Sequence, residues 1–350
     1  MRRLILGLFV FGMLMLYGCI WNGGKEQPSD NNLPVNDQGQ EPTGNLSVPG
    51  ENENGQQGSP TPGQPGDQSG SETTITIDYT YTPLANITVC FLDVGMGDAI
   101  LVKKGDFDML IDAGPEDASD KLVERLNNLG VDDIEILVLS SPTPDRMGGM
   151  PKVLDNFKVE EFWDNGVDYL ETLPSFIPVK EKLEENHVKI IKPTLGYHRS
   201  ENGIHIDVMY PLEVRENNPA YPESDSLSLL ISDRNFSVFL TDLLTRTQNR
   251  MFSELVNRNV SFTATVVKIP QHGATAIDAQ EIVGSFMLIS KVKPEVAVVM
   301  VGPNDRYLPN PSVLESYRVY DVEVYRTDQD GTVCIRSDGK EYEITTENQD

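Results

Sequence analysis

The sequence predicts an α/β fold of the α+β type, with two mixed β-sheets covered by helices on their outer sides. Strand and helix patterns alternate along most of residues 73–345. Several neighbouring strands follow one another across short turns, as hairpins do, which one doubly wound parallel sheet does not accommodate. No Pro/Gly/Ser-rich linker interrupts 73–345, so both sheets belong to one domain.

The elements are expected in this order. ITIDYTYT and ANITVCFLDV alternate apolar and polar residues as strands do, and GMGDAILVKKGDFDMLIDAG adds two strands turning at Lys104–Asp106. SDKLVERLNNLG spaces Leu122, Val123, Leu126 and Leu129 for one helix face and stops at Gly130. IEILVLS is continuously apolar, as a buried strand is. MGGMPKVLDNF starts a helix, VEEFWD is a short strand and VKEKLEENHV is a second helix. IHIDVMYP, DSLSLLISD and FSVFLTDLL are strands, followed by the helix TRTQNRMFSELVN. TATVVKIPQ is a strand, DAQEIVGSFMLISKVKP a helix, VAVVMVGPN a strand and PSVLESYRV a helix. Short strands joined at DQDG and SDGK close the domain.

The N-terminal part has a different character. Arg2 and Arg3 precede an apolar run from Leu4 to Tyr17 that is short for a membrane span and suits a signal peptide over 1–18. The run ends in LYGC, which resembles a lipoprotein signal, with cleavage before Cys19 and lipid on its thiol. Residues 19–72 are rich in Gly, Pro, Asn, Gln, Ser and Glu and cannot bury apolar area, so a disordered linker is expected. The expected location is the cell membrane, lipid-anchored, with the domain on the extracytoplasmic side. Sequons stand at Asn45, Asn86, Asn235 and Asn259.

The 350-residue chain is 39% hydrophobic and carries a formal charge of -26, so most of its surface should repel phosphate backbones. General nucleic-acid binding is therefore not expected. The expected partners are membrane lipid at the N-terminus and a protein, glycan or small ligand at the domain. Besides Cys19 there are only Cys90 and Cys334, both in apolar stretches. They suit two buried thiols, or one disulfide if their strands are neighbours. Thiolate zinc knuckles are excluded, since no CxxC pair occurs.

Six stretches resemble the extracellular metallo-β-lactamase-fold domain of the ComEC competence proteins and its stand-alone relatives. They are FLDVGMGDAILV, MLIDAGP, ILVLSSPTPDRMGG, DSLSLLI, FLTDLL with VVKIPQHGA, and VGPNDRYLPNPSVLE followed by VYRTDQDGTV. Met96 stands where that family generally has glutamine. The resemblance implies an αββα four-layer sandwich with an active site at one edge of the two sheets. It also implies metal-dependent hydrolysis as the nominal chemistry, chiefly of phosphodiester-type substrates. ComEC proteins carry a channel domain for DNA uptake as well; a DNA-transport role does not follow for this chain.

The resemblance also locates the metal motif. Active members read histidine, any residue, histidine, any residue, aspartate, histidine after a buried strand. That spacing aims several ligands from one loop at two ions roughly 3.5 Å apart. Here Ser141 and Thr143 replace the first two histidines, Asp145 is kept, and Arg146 replaces the third. A hydroxyl is a weak ligand, and a guanidinium has no lone pair to give. Downstream, Asp242 matches the bridging aspartate, Thr241 replaces the glycine before it, and Gln271–His272 stands for paired histidines. The histidine that often follows the tyrosine near the C-terminus is absent from YLPNP. His187, His198 and His205 form no ligand-like pair.

Further site candidates are Asp93 and Asp98, placed to accept backbone N–H bonds in the turn that Gly95 and Gly97 permit, and Asp112 at the end of MLID. Ser226, in DSLSL, matches a family serine near the site. Two arrangements follow. In the favoured one, Arg146 pairs with Asp145 and Asp242, and the domain is a binding or structural module with no cofactor. In the alternative, a phosphodiesterase- or nuclease-like hydrolase holds one divalent metal ion, Zn or Mn, on Asp145, Asp242 and His272, with Arg146 turned out toward an anion. Ser141 or Ser226 as nucleophile, with His272 as base and Asp242 orienting it, lacks a nucleophile elbow and is not favoured.

Overall fold

A computed structural model of the chain describes residues 85–166, 173–213, 226–243, 245–275 and 282–348. The expected signal peptide, Cys19, the linker 19–72 and the strand ITIDYTYT lie outside the described residues. In chain order the strands are β1 (Ile87–Phe91), β2 (Ile100–Lys104), β3 (Phe107–Ile111), β4 (Asp133–Val138), β5 (Lys158–Trp163), β6 (Lys189–Ile191), β7 (His198–Glu201), β8 (Ile204–Tyr210), β9 (Ser228–Asp233), β10 (Phe236–Leu240), β11 (Val266–Lys268), β12 (Val296–Val299), β13 (Glu323–Arg326), β14 (Val333–Ser337) and β15 (Tyr342–Thr346). The helices are α1 (Ser119–Asn128), α2 (Pro144–Met147), α3 (Met150–Asn156), α4 (Ile177–Glu185), α5 (Thr245–Asn257), α6 (Ile282–Val292), α7 (Pro311–Arg318) and α8 (Thr327–Asp330).

Two mixed sheets result, in the orders β15-β14-β1-β2-β3-β4-β5-β6 and β13-β12-β11-β10-β9-β8-β7. Each has an antiparallel part and a parallel part. β3, β4, β5 and β6 run parallel in the first sheet, and β10, β11, β12 and β13 in the second.

Side-chain alternation sorts the strands into layers. Val89, Phe91, Ile136 and Val138 face the core between the sheets, together with Val238, Leu240, Val266 and Val298. Their neighbours Cys90, Leu92, Leu137 and Leu139 face outward onto Leu122 and Leu126 of α1, Val153 of α3 and Leu183 of α4. On the other side, Phe239, Val267 and Ala297 meet Phe252 of α5, Leu288 of α6 and Tyr317 of α7. These three apolar layers make an αββα four-layer sandwich. Local chemistry agrees with it: α7 starts where the Asn310 side chain accepts from the Ser312 N–H at 2.9 Å, with Pro311 in the first turn.

The C-terminal region departs from the expected set of short strands joined at DQDG. β13 lies in the second sheet, the turn at DQDG is the short helix α8, and only β14 and β15 form a hairpin, in the first sheet. The chain changes sheets there, held by Thr327, whose hydroxyl accepts from the Val301 N–H at 2.8 Å and donates to the Val301 carbonyl at 2.9 Å.

β14 pairs with β1 so that Cys334 lies directly opposite Cys90, and the two form a disulfide. It spans 244 residues, a loop whose closure removes roughly 5 kcal/mol of chain entropy from the unfolded state. Among the described residues no helix is long and apolar enough to cross a membrane.

Candidate functional site

Alternation continues past the strand ends and brings polar side chains to the gap between the sheets. Val238 and Leu240 of β10 face inward, so Asp242 follows on that face; Val266 of β11 is followed by Lys268. Both lie at the carboxyl ends of parallel strands, where open α/β sheets place their sites. From the first sheet come the loop after β1, carrying Asp98, and the segment after β4, carrying Ser140 to Arg146. These two loops touch: the Asp98 N–H donates to the Asp145 carbonyl at 3.1 Å. Any side chain at Gly97 would come within 2.5 Å of that same carbonyl oxygen, so the approach requires glycine.

Arg146 is 2% exposed, and each of its guanidinium nitrogens meets a different carboxylate. Nε lies 3.2 Å from Asp98 Oδ2, Nη1 lies 3.2 Å from Asp145 Oδ2, and Nη2 contacts Asp242 Oδ2. Nη1 also donates to the Thr143 hydroxyl at 2.6 Å. Lys268 Nζ bridges two of the same groups, 2.8 Å from Asp98 Oδ2 and 2.9 Å from Asp242 Oδ1. His272 closes the set, with Nδ1 at 2.8 Å from the Met300 carbonyl and Nε2 at 3.0 Å from Asp145 Oδ2. The Met300 carbonyl only accepts, so Nδ1 donates to it, and both ring nitrogens are occupied by partners.

The turn that delivers His272 is strained. Gln271 and His272 both adopt positive φ, 52° and 54°, a conformation that costs on the order of 1–3 kcal/mol per non-glycine residue. Asp242 holds it in place by accepting from the Gln271 N–H at 2.7 Å, while its own carbonyl accepts from Gln271 Nε2 at 2.7 Å.

Arg146 and Lys268 lie among the carboxylates of Asp98, Asp145 and Asp242, and the His272 ring bonds to Asp145. Burial alone would raise the Asp98 carboxyl, but Lys268, His272 and Arg146 outweigh it and hold it below the usual carboxylate range. Asp145 is likewise opposed by burial and held well below that range by the His272 bond and the Arg146 charge. Burial depresses Lys268, against the pull of Asp98.

Asp112 lies beside this cluster with different chemistry. Burial pushes its carboxyl up to about 7, against the Arg146 charge. It accepts from the Ser140 N–H at 2.8 Å and shares a 2.5 Å bond with the Ser140 hydroxyl.

The remaining candidates divide. Asp98 does not accept backbone N–H bonds as expected; its Oδ2 takes the two cations instead. Asp93 does accept one, from Gly95 at 3.1 Å, but it stands apart from the cluster, 2.7 Å from Lys121 and 3.6 Å from Arg125. Ser141 and Ser226 are fully buried. His272 spends both ring nitrogens on Met300 and Asp145, and Asp242 is engaged by Gln271, Lys268 and Arg146, so neither the base nor its orienting group serves a serine nucleophile. Lys268 is the site residue that motif matching passes over. Its place at the inward-facing end of VVK is the available signal.

A metal centre of the kind implied by this type of fold does not fit these residues. Among the described residues no group of three or more His, Cys, Asp and Glu is placed to hold a metal ion. The carboxylates are already turned onto Arg146 and Lys268, and the imidazole onto a carbonyl and Asp145. A divalent ion there would compete with Arg146 and Lys268, two cations that already hold these carboxylates.

No protein-family model matches the chain. It is 25% identical over 269 residues to ComE operon protein 3 of Bacillus subtilis (strain 168), a match covering 71% of this chain and 33% of that protein. The chain thus spans about a third of the length of this curated relative. Among solved structures it is similar to the metallo-beta-lactamase fold protein YhfI from Bacillus subtilis, at 12% identity and a TM-score of 0.51, covering 72% of this chain and 100% of that one. A metal-dependent hydrolase of the beta-lactamase superfamily matches with 12% identity and a TM-score of 0.46, over 71% of this chain and 98% of that chain. The domain has a metallo-β-lactamase-like fold and is distantly related to ComE operon protein 3.

Proposed function

We propose that the chain is a lipid-anchored extracytoplasmic protein whose domain is a catalytically degenerate relative of the ComEC metallo-β-lactamase-fold domain, serving as a binding or structural module. The observation that carries this reading is Arg146, whose guanidinium takes up Asp98, Asp145 and Asp242 at once. Hydrolysis on this fold needs electron-pair donors converging on an ion and a water to activate. Here the same side chains are turned onto one another's charges. The placement is supported by the Cys90–Cys334 disulfide, since such bonds persist in oxidising compartments. It is also supported by the apolar run ending at Cys19 and the polar residues 19–72. The ligand of such a module is a protein, a glycan or a small molecule.

The test is hydrolysis of a chromogenic phosphodiester, bis(p-nitrophenyl) phosphate, by the purified protein with Zn2+ or Mn2+ added. The expected outcome is a rate equal to the buffer blank. Turnover that disappears with a chelator overturns the reading in favour of the single-metal hydrolase. For the anchor, Cys19→Ser is expected to release the protein from the membrane fraction, and unchanged membrane association sinks that part.

A further inference from the structure

We infer that the Cys90–Cys334 bond undergoes thiol exchange in the folded protein, with Cys334 as the sulfur that a small thiol attacks and Cys90 as the one it expels. The two halves of the bond lie in different surroundings. Cys90, on β1, is 1% exposed and belongs to the outward layer that Leu122 and Leu126 of α1 cover. Cys334 is half-buried, and Thr345, opposite it on β15, is exposed. Cover by α1 therefore fades from β1 toward the sheet edge. A cleft of about 290 Å3 lies there, lined by Arg125, Asn128 and Leu129 on the helix and by Cys334 and Thr345 on the strands. It reaches Cys334 and not Cys90, and its size suits a small molecule.

Exchange begins with a thiolate that enters the cleft and bonds to Cys334 Sγ. The S–S bond breaks, its electron pair leaves on Cys90 Sγ, and Cys90 takes up the proton that the attacking thiol released. The β1–β14 register keeps Cys90 opposite the mixed disulfide on Cys334, so it re-forms the original bond unless a second thiol intervenes. That second thiol attacks the small thiol's sulfur and leaves with it as a disulfide, and both cysteines remain as thiols. The hairpin stays anchored without sulfur. Arg125 Nη1 donates to Thr332 Oγ1 at 2.9 Å and to Glu347 Oε2 at 2.8 Å, and the Asp93 N–H donates to Thr332 Oγ1 at 3.2 Å. None of this depends on what the Arg146 cluster does.

The full chain carrying Cys19→Ser has no cysteine besides this pair. It is treated with dithiothreitol at neutral pH, with and without sub-denaturing urea, and the thiols formed are trapped with iodoacetamide and counted by mass. Reduction without urea, at a rate that urea leaves unchanged, is expected, since access needs no unfolding. No reduction without urea, or a rate that climbs steeply with it, overturns the inference, because the bond then opens only in unfolded chains. In the same background, Cys90→Ala leaves Cys334 as the lone thiol and Cys334→Ala leaves Cys90. Without denaturant, Cys334 is expected to react with a chromogenic aryl disulfide on the order of tenfold faster than Cys90, or more. Equal rates in two folded variants, or a faster Cys90, overturn the assignment of Cys334 as the point of entry. If either variant is recovered unfolded, the urea dependence of the intact bond decides.

Discussion

Lys268 Nζ lies 2.8 Å from Asp98 Oδ2, a buried ion pair that joins the second sheet to the loop after the first strand of the first sheet. Removing Lys268 leaves Asp98 and Asp242 to share Arg146 alone, so a buried negative charge goes uncompensated, a loss of about 3–5 kcal/mol. Lys268→Met should therefore lower unfolding stability by about that amount at pH 7, measured in urea. Adding Asp98→Asn should recover part of the loss, because the orphaned charge is gone. Strictly additive costs in the double-mutant cycle would show that the two side chains are not coupled.

Asp112 makes stability depend on pH in a predictable sense. Folded, it keeps its proton up to about 7. Unfolded, it releases it near roughly 3.9. Its contribution is fullest below about pH 4 and is lost as pH rises through about 7, near 1.4 kcal/mol per pH unit in between. Asp98 and Asp145, held low, act oppositely: their contribution is present above about pH 4 and lost on acidification. Asp112→Asn cannot titrate, so the stability difference between wild type and variant should decline from pH 4 to pH 7. Parallel pH profiles would count against a carboxyl that stays protonated.

Asp93 offers a contrast. Its partner Lys121 is half exposed, so the pair lies in screened surroundings. Asp93→Asn is expected to cost no more than about 1 kcal/mol in urea unfolding. A loss as large as that for Lys268→Met would return Asp93 to the site.

The disulfide gives a fourth expectation. Replacing both Cys90 and Cys334 by alanine should lower stability by roughly 2–5 kcal/mol under non-reducing conditions. A reducing agent should shift the urea midpoint of the wild type and leave the double variant unmoved. Equal responses of the two proteins would refute a structural role for the bond.

Much of this was legible in the chain itself. VCFL, ILVL and VFL are continuously apolar, so the chain marks strands buried on both faces, while the structure decides which residues face the other sheet and which face the helices. The resemblance to a family motif locates Ser141 to Arg146 as the loop facing Asp242 and His272. Lys268 is harder to see: a lysine closing a strand reads as a solvated end, and only the place of β11 between β10 and β12 puts it in the interior. Asp93 and Asp98 are alike in sequence, five residues apart in one glycine turn, but the turn sends them to different sides. The chain's change of sheets at DQDG has no periodicity to announce it. Pairing of Cys90 with Cys334 depends on a register between strands from opposite ends of the domain, which neither strand specifies alone.

That register has a mechanical consequence. β1 lies between β14 and β2, and its fourth residue is bonded covalently to β14. A load applied from the N-terminal side of β1 can strip only the hydrogen bonds ahead of Cys90. Beyond that point a force pulling against the C-terminus passes through sulfur into β14, and the chain between Cys90 and Cys334 is shielded from extension until a covalent bond is cut.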